Sequence, residues 1–324
     1  MKLPIGRRSV RRRARHDAAA SSVDMRVKVG SIEFANPVMG AAGTVGHGPE
    51  FVPFGIAGLG AVVVKSMSLD AWAGNPAPRV AGVDAGMINA IGLQNPGVYH
   101  WLEHDLPPLR AAGATVVASI WGFTVEQYRD VAAALAGNPE IAAIEVNVSC
   151  PNIEDRRSMF GHSCAGTEAV IGAVVGAAGT TPVWAKLSPN VTDITEIAGS
   201  ALGSGAASLT LTNTVMGMAI DVETGKPVLG NGGGGVSGPA IRPVALRAVF
   251  EVRKAFPDAA IVGVGGIATG KHAVEFLMAG ADAVQVGTAH FHDPRAGLRI
   301  RDELAAWCVT HDTSPTQLTT RNRS

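Results

Sequence analysis

The stretch AIVGVGGIATGKHAVEFLMAGADAVQVGT, Ala260 to Thr288, shows how the chain is built. An apolar run, Ala260–Gly263, meets a turn at Gly265-Gly266. A helical pattern follows over Lys271–Ala279, with Val274, Leu277 and Met278 at i, i+3 and i+4 on one face and Gly280 placed to end the helix. A second apolar run, Ala283–Val286, ends in Gly287-Thr288. Neither run alternates between apolar and polar residues, which is the pattern of parallel strands covered on both faces.

The same strand–helix theme recurs towards the N-terminus. Strands are expected at Pro37–Gly40, Ala61–Lys65, Thr115–Ile120, Ile141–Val148, Val183–Leu187 and Ala207–Thr212, with helices at Val125–Ala136, Thr192–Leu202 and Pro243–Ala255. Eight such units in about 250 residues predict an α/β protein folded as a single (β/α)8 TIM barrel. A doubly wound open sheet is the competitor, but it needs fewer strands and an early glycine-rich loop, and here the glycine-rich turns come late. Ahead of the first strand, Arg26–Phe34 alternates (Val27, Val29, Ile32, Phe34) and reads as an N-terminal hairpin closing the bottom of the barrel. Long loops follow strands two, four and six; those after strands two and six span residues 66–113 and 213–242. Loops at strand C-termini are where a barrel binds and reacts.

The 324 residues divide accordingly into a basic tail (1–24), one barrel (25–312) and a C-terminal tail (313–324), both tails expected to be disordered, with no second domain. Only 17% of residues are charged, which argues against disorder in the body of the chain. The zero net charge conceals seven Lys/Arg against two Asp within residues 1–24, a net of +5, so the remainder carries −5. No apolar segment follows those arginines as a signal peptide requires, and none elsewhere is long enough to span a bilayer. Neither nucleic acid nor membrane is expected as a partner. Cys150, Cys164 and Cys308 show no metal-ligand spacing and suit a reducing, cytoplasmic setting.

The strand ends carry Gly43, Lys65-Ser66, Asn147 to Asn152, Lys186, Thr212-Asn213-Thr214, Gly265-Gly266 and Gly287-Thr288. This set contains no carboxylate pair and no histidine cluster, so glycosidase and His-based metal chemistry are poorly supported. Glycines after strands seven and eight let backbone N–H groups approach a phosphate. Lys65 and Lys186 call for an anionic partner if buried, and asparagines suit the amide edges of a pyrimidine or flavin. Flavin mononucleotide (FMN) fits both demands. A rival pattern is His100-Trp101-Leu102-Glu103-His104, the H-x-x-E-H of a zinc peptidase with His100 and His104 as ligands and Glu103 as base. It lies in a long excursion without a downstream acidic helix, so an exposed helix is the reading kept and no metal is expected. A second rival is a non-catalytic barrel that binds a phosphorylated ligand, with Cys150 as an ordinary small hydrophobe.

Asn89-Ala-Ile-Gly-Leu-Gln-Asn-Pro-Gly97, Asn147-Val-Ser-Cys-Pro-Asn152 and Lys186-Leu-Ser-Pro-Asn190 resemble the dihydroorotate dehydrogenase family from about Ala35 to Pro294. A cysteine within the second element resembles class 1, and Thr212–Gly217 with Gly235–Ile241 resembles the class 1B catalytic subunit. The resemblance implies FMN-dependent oxidation of (S)-dihydroorotate to orotate in pyrimidine (UMP) synthesis, with electrons passed through an iron–sulfur/FAD partner subunit to NAD, and a homodimer. It implies Cys150 as the base at C5 while hydride leaves C6 for flavin N5, with Asn152–Gly166 as a lid. Lys65, Asn89, Gly92, Leu93, Asn147, Asn152, Asn213 and Thr214 would hold substrate. Gly43, Lys65, Ser66, Asn147, Lys186, Thr212, Gly238, Gly265, Gly266, Gly287 and Thr288 would hold FMN. Ala42 stands where the family often has serine, and Ser119 where class 1B often has asparagine; each removes one flavin hydrogen bond, about 1 kcal/mol. The sequence leaves open whether the final acceptor is NAD, fumarate or another oxidant, and whether the ring is that of dihydroorotate or another dihydropyrimidine.

Overall fold

The computed structural model describes residues 23–149 and 159–320. The basic tail up to residue 22, Cys150, Asn152 and the first part of the expected lid lie outside the described residues.

Strands β1 (Val27–Val29) and β2 (Ile32–Phe34) form the hairpin, and β3 (Val38–Gly40) and β4 (Ala61–Val63) enter the barrel. Strands β5 (Val80–Val83) and β6 (Gly86–Asn89) precede β7 (Val116–Ile120), β8 (Ile141–Asn147), β9 (Val183–Leu187) and β10 (Ser208–Leu211). Then come β11 (Val215–Gly217), β12 (Ile220–Asp221), β13 (Lys226–Pro227), β14 (Gly234–Ser237), β15 (Ile261–Val264) and β16 (Ala283–Val286). Eight of these, in the order β3-β4-β7-β8-β9-β10-β15-β16, close into a parallel barrel. Every barrel strand expected from sequence is present, with ends displaced by two residues at most.

Inward side chains alternate along each strand. The lower layer includes Met39, Ala61, Ala143, Trp184, Val262 and Ala283, in one cluster with Val27, Val29 and Phe34 of the hairpin. The Phe34 and Trp184 rings meet edge to face, 6.0 Å apart. The hairpin therefore seals the N-terminal end, as the alternation of Arg26–Phe34 predicts. Helices cover the outside, and polar side chains cap their first turns: Thr124 Oγ1 accepts from Gln127 N, Asp193 from Thr195 N and Thr269 from His272 N. Gly280, at φ 113°, follows the Gly270–Met278 helix as expected.

Two expectations need correction. The excursions after the second and sixth barrel strands are not plain loops: β11, β14, β6 and β5 join in one four-stranded antiparallel sheet above the strand C-termini. Neither half could be recognised alone, because each supplies only two short strands. The expected C-terminal tail is packed through Thr320: Pro315–Thr320 forms a short helix with Leu318 fully buried, and Thr319 Oγ1 donates to Ala281 O at 2.8 Å.

Candidate active site

A cavity of about 1150 Å³ opens at the carboxyl ends of the barrel strands, beneath the four-stranded sheet. The sequence-predicted residues Lys65, Asn89, Gly92, Leu93, Asn147, Asn213 and Thr214 line it. So do Gly43, Ser66, Lys186, Thr212, Gly238, Gly265, Gly266, Gly287 and Thr288. Of the predicted set, only Cys150 and Asn152 lie outside the described residues. Residues separated by more than 240 positions thus share one space because parallel strands present all their C-termini at one end.

Asn147 ends β8 with its side chain largely buried. Its Oδ1 accepts from Asn213 Nδ2 at 3.0 Å and from Ser149 N at 3.2 Å, so the Nδ2 group is left for a ligand. Asn213 Oδ1 in turn accepts from Thr214 N at 2.8 Å, which fixes both amides. Asn190, not among the predicted site residues, ties the same corner together: Nδ2 donates to Thr214 O at 3.0 Å and Oδ1 accepts from Met216 N at 2.8 Å. Its position in the quoted Lys186–Asn190 element was the available signal.

The glycine turns behave as a cradle. Gly266, at φ 70°, and Gly238, at φ 94°, use backbone that favours glycine, and a Cβ on Gly266 would lie 2.7 Å from Gly238 O. Gly287 is different: a Cβ there would meet only Ala41 and Thr44 at 3.6 and 3.7 Å, ordinary contact. Thr212 Oγ1, between the asparagines and this cradle, is buried without a hydrogen-bond partner among the described residues.

On the opposite wall the Asn89–Gly97 segment is held by Asn95, whose Oδ1 accepts from Ser68 N and Gly97 N at 3.1 and 2.9 Å. Gly92 and Leu93 both take positive φ, 71° and 64°. Trp72 Nε1 donates to Gly92 O at 2.9 Å, and its ring packs edge-on against Phe123 at 5.1 Å. Asn89 Nδ2 donates to Gly235 O at 3.2 Å, joining this wall to β14. Ser66 Oγ and Ser119 Oγ share a buried hydrogen bond of 2.9 Å, so the serine at position 119 is engaged with Ser66.

Below the cavity lies a polar layer that reasoning from strand ends missed. Lys186 Nζ stands 3.5 Å from Oε1 of Glu145, a fully buried carboxylate within β8. The anionic partner expected for Lys186 from a cofactor is thus supplied by the protein itself. Glu145 Oε2 accepts from Thr210 Oγ1 at 3.0 Å and Gln285 Nε2 at 2.8 Å. Each sits two residues before a predicted site residue on its own strand (Asn147, Thr212, Gly287), so period-two alternation was the signal that could have found them.

His290 is a core side chain, held down to about pKa 4 by burial, with Nε2 accepting from Gly297 N at 3.2 Å. His47 lines the cavity, and burial lowers it as well. His100 and His104 stack face to face, centroids 4.3 Å apart, with His104 Nδ1 bonded to His100 O. Cys308 is buried, its thiol pushed up to about 11, and is free, as is Cys164. No described helix is long and apolar enough to cross a membrane.

The family model described as dihydroorotate dehydrogenase matches residues 24–307. The chain is 46% identical over 289 residues to a dihydroorotate dehydrogenase B (NAD(+)) catalytic subunit from Citrifermentans bemidjiense, covering 89% of this chain and 94% of that protein. It is 49% identical over 279 residues to the like-named subunit from Desulforudis audaxviator, covering 86% and 90%. The like-named subunit of Alkaliphilus metalliredigens is 46% identical over 288 residues, covering 89% and 94%.

Proposed function

This chain belongs to the dihydroorotate dehydrogenase family, and from that premise we propose that it oxidises (S)-dihydroorotate to orotate with FMN, in the synthesis of UMP, using Cys150 as base. One observation supports the reading: residues from seven barrel-strand ends line one cavity, and Ser149, which precedes Cys150 in the chain, lines it too.

The site's own chemistry fits FMN. Gly265, Gly266 and Gly287 offer backbone N–H groups on two adjacent strands, with no Cβ in front of a phosphate. The hydroxyl of Thr212, without a partner among the described residues, and the donor of Asn147 suit the polar edge of the flavin. Bound there, FMN supplies a two-electron acceptor that no side chain provides. The protein's part is to orient and to take a proton. Lys65 offers a cation to the substrate carboxylate, Asn89, Asn147, Asn213 and Thr214 hold the pyrimidine amides, and Cys150 accepts the C5 proton. A thiol ordinarily ionises near 8.5, so oxidation speeds up as pH rises towards that value.

We assign the protein to the cytoplasm, with electrons leaving to NAD through an iron–sulfur/FAD subunit and the barrel acting as a homodimer. The relatives' names, which specify NAD and a catalytic subunit, support the first pairing. Met216, Met218, Ile220 and Val222, all exposed along β11–β12, give apolar surface for a second copy to cover. Light scattering of the purified protein tests the dimer.

The decisive variant is Cys150→Ala. It keeps FMN and orotate binding while oxidation of dihydroorotate falls on the order of 10²–10⁴-fold, the range of a lost general base. Unchanged turnover removes Cys150 from the reaction. Faster oxidation of dihydrouracil than of dihydroorotate removes Lys65 as the carboxylate partner.

A further inference from the structure

Glu145 is the one carboxylate inside the described part of the barrel, and its surroundings are expensive. A fully buried carboxylate loses its hydration, and replacing a buried ion pair with apolar groups is often neutral or stabilising. Stability therefore does not account for it. Three other strands nevertheless serve this one group: Lys186 from β9, Thr210 from β10 and Gln285 from β16. Of the four, only Lys186 lines the cavity; the other three lie beneath. Lysine has a flexible four-carbon stem and a mobile point charge, yet here its Nζ is held 3.5 Å from Glu145 Oε1.

We propose that Glu145 is a positioning residue of the flavin site: it fixes the Lys186 ammonium at the cavity floor, offsets its charge, and so sets the reduction potential of bound FMN. The inference rests on the assignment of Lys186 to the FMN site. Reduction brings negative charge into the cavity whose floor Lys186 lines. A lone Lys186 cation there would favour it, and Glu145, locked by Thr210 and Gln285, opposes that pull at a fixed distance.

The test is a reductive titration of the FMN-loaded protein against a reference dye, on wild type, Glu145→Gln and the double variant Glu145→Gln/Gln285→Glu. Glutamine keeps the shape and the acceptor for Thr210 but removes the charge. The ratio of reduced to oxidised flavin at a fixed potential is expected to rise at least tenfold, an upward shift of about 30 mV or more for this two-electron couple. The double variant returns a carboxylate to the position 2.8 Å away and restores the wild-type potential. An unchanged potential in Glu145→Gln overturns the proposal, as does a raised potential that the double variant fails to restore, since lost packing then explains it. If Glu145→Gln does not fold, the double variant decides alone: a wild-type potential supports the proposal and a shifted one overturns it. A wild-type protein that takes up no FMN refutes the functional reading itself, and this inference with it.

Discussion

Gly287→Ala separates what the fold requires of a glycine from what a phosphate requires. At Gly287 the backbone is outside the left-handed region, and the added methyl would meet Ala41 and Thr44 at 3.6 and 3.7 Å. The protein without FMN should therefore accept alanine, with a change of about 0.5 kcal/mol that favours the folded state through a stiffer unfolded chain. In the proposed FMN site the same methyl would stand beside an N–H offered to the phosphate. Losing one hydrogen bond to a charged group removes about 1.5–3 kcal/mol, or roughly ten- to a hundredfold in FMN affinity. Gly266→Ala is the contrast. Its φ of 70° and the 2.7 Å approach to Gly238 O strain the protein whether or not FMN is present, at about 1–2 kcal/mol for the backbone alone. Flavin-fluorescence titration gives the affinities, and thermal melts of both FMN-free variants give the stabilities. Wild-type FMN affinity in Gly287→Ala would refute the phosphate cradle, and an equal loss of melting temperature in both variants would refute the distinction.

Two predictions concern stability. Burial holds His290 near pKa 4 against an ordinary 6.5, so the unfolded chain binds more protons between those values. Unfolding free energy should fall as pH drops from 6.5 to 4, by up to about 3 kcal/mol; a His290→Asn variant with the wild-type pH slope in urea melts would dismiss this. Arg253 is buried, donates to the carbonyls of Gly280, Pro257 and Ala259, and pairs with Asp282 at 3.1 Å. Arg253→Met should cost about 3–5 kcal/mol by removing the cation beside the buried Asp282 carboxylate, with part recovered in Arg253→Met/Asp282→Asn; a loss below 1 kcal/mol in denaturant would contradict the pairing.

What could be read without coordinates follows from which signals are local. The barrel strands were legible because each is a short apolar run bounded by glycine or asparagine, and strand ends then point to the cavity by fold geometry alone. The upper sheet was not, since β5–β6 and β11–β14 recognise each other across more than 120 residues. Glu145 and Gln285 hid inside runs read as wholly apolar, where the eye is drawn to the flanking Asn147 and Gly287. The Pro315–Thr320 helix is too short to show a periodic face, and of its three buried residues, Pro315, Leu318 and Thr319, only Leu318 is a large apolar side chain.

The hairpin wedged under the barrel, Phe34 against Trp184, has a bearing on traffic. With the floor corked, dihydroorotate enters and orotate departs through the same doorway, and the outgoing electrons must find a route near it. On the proposed reading, turnover would run as an alternation of tenants: an oxidant in solution would compete with the pyrimidine for the threshold, while a protein partner docked on the flank would draw electrons off without waiting its turn.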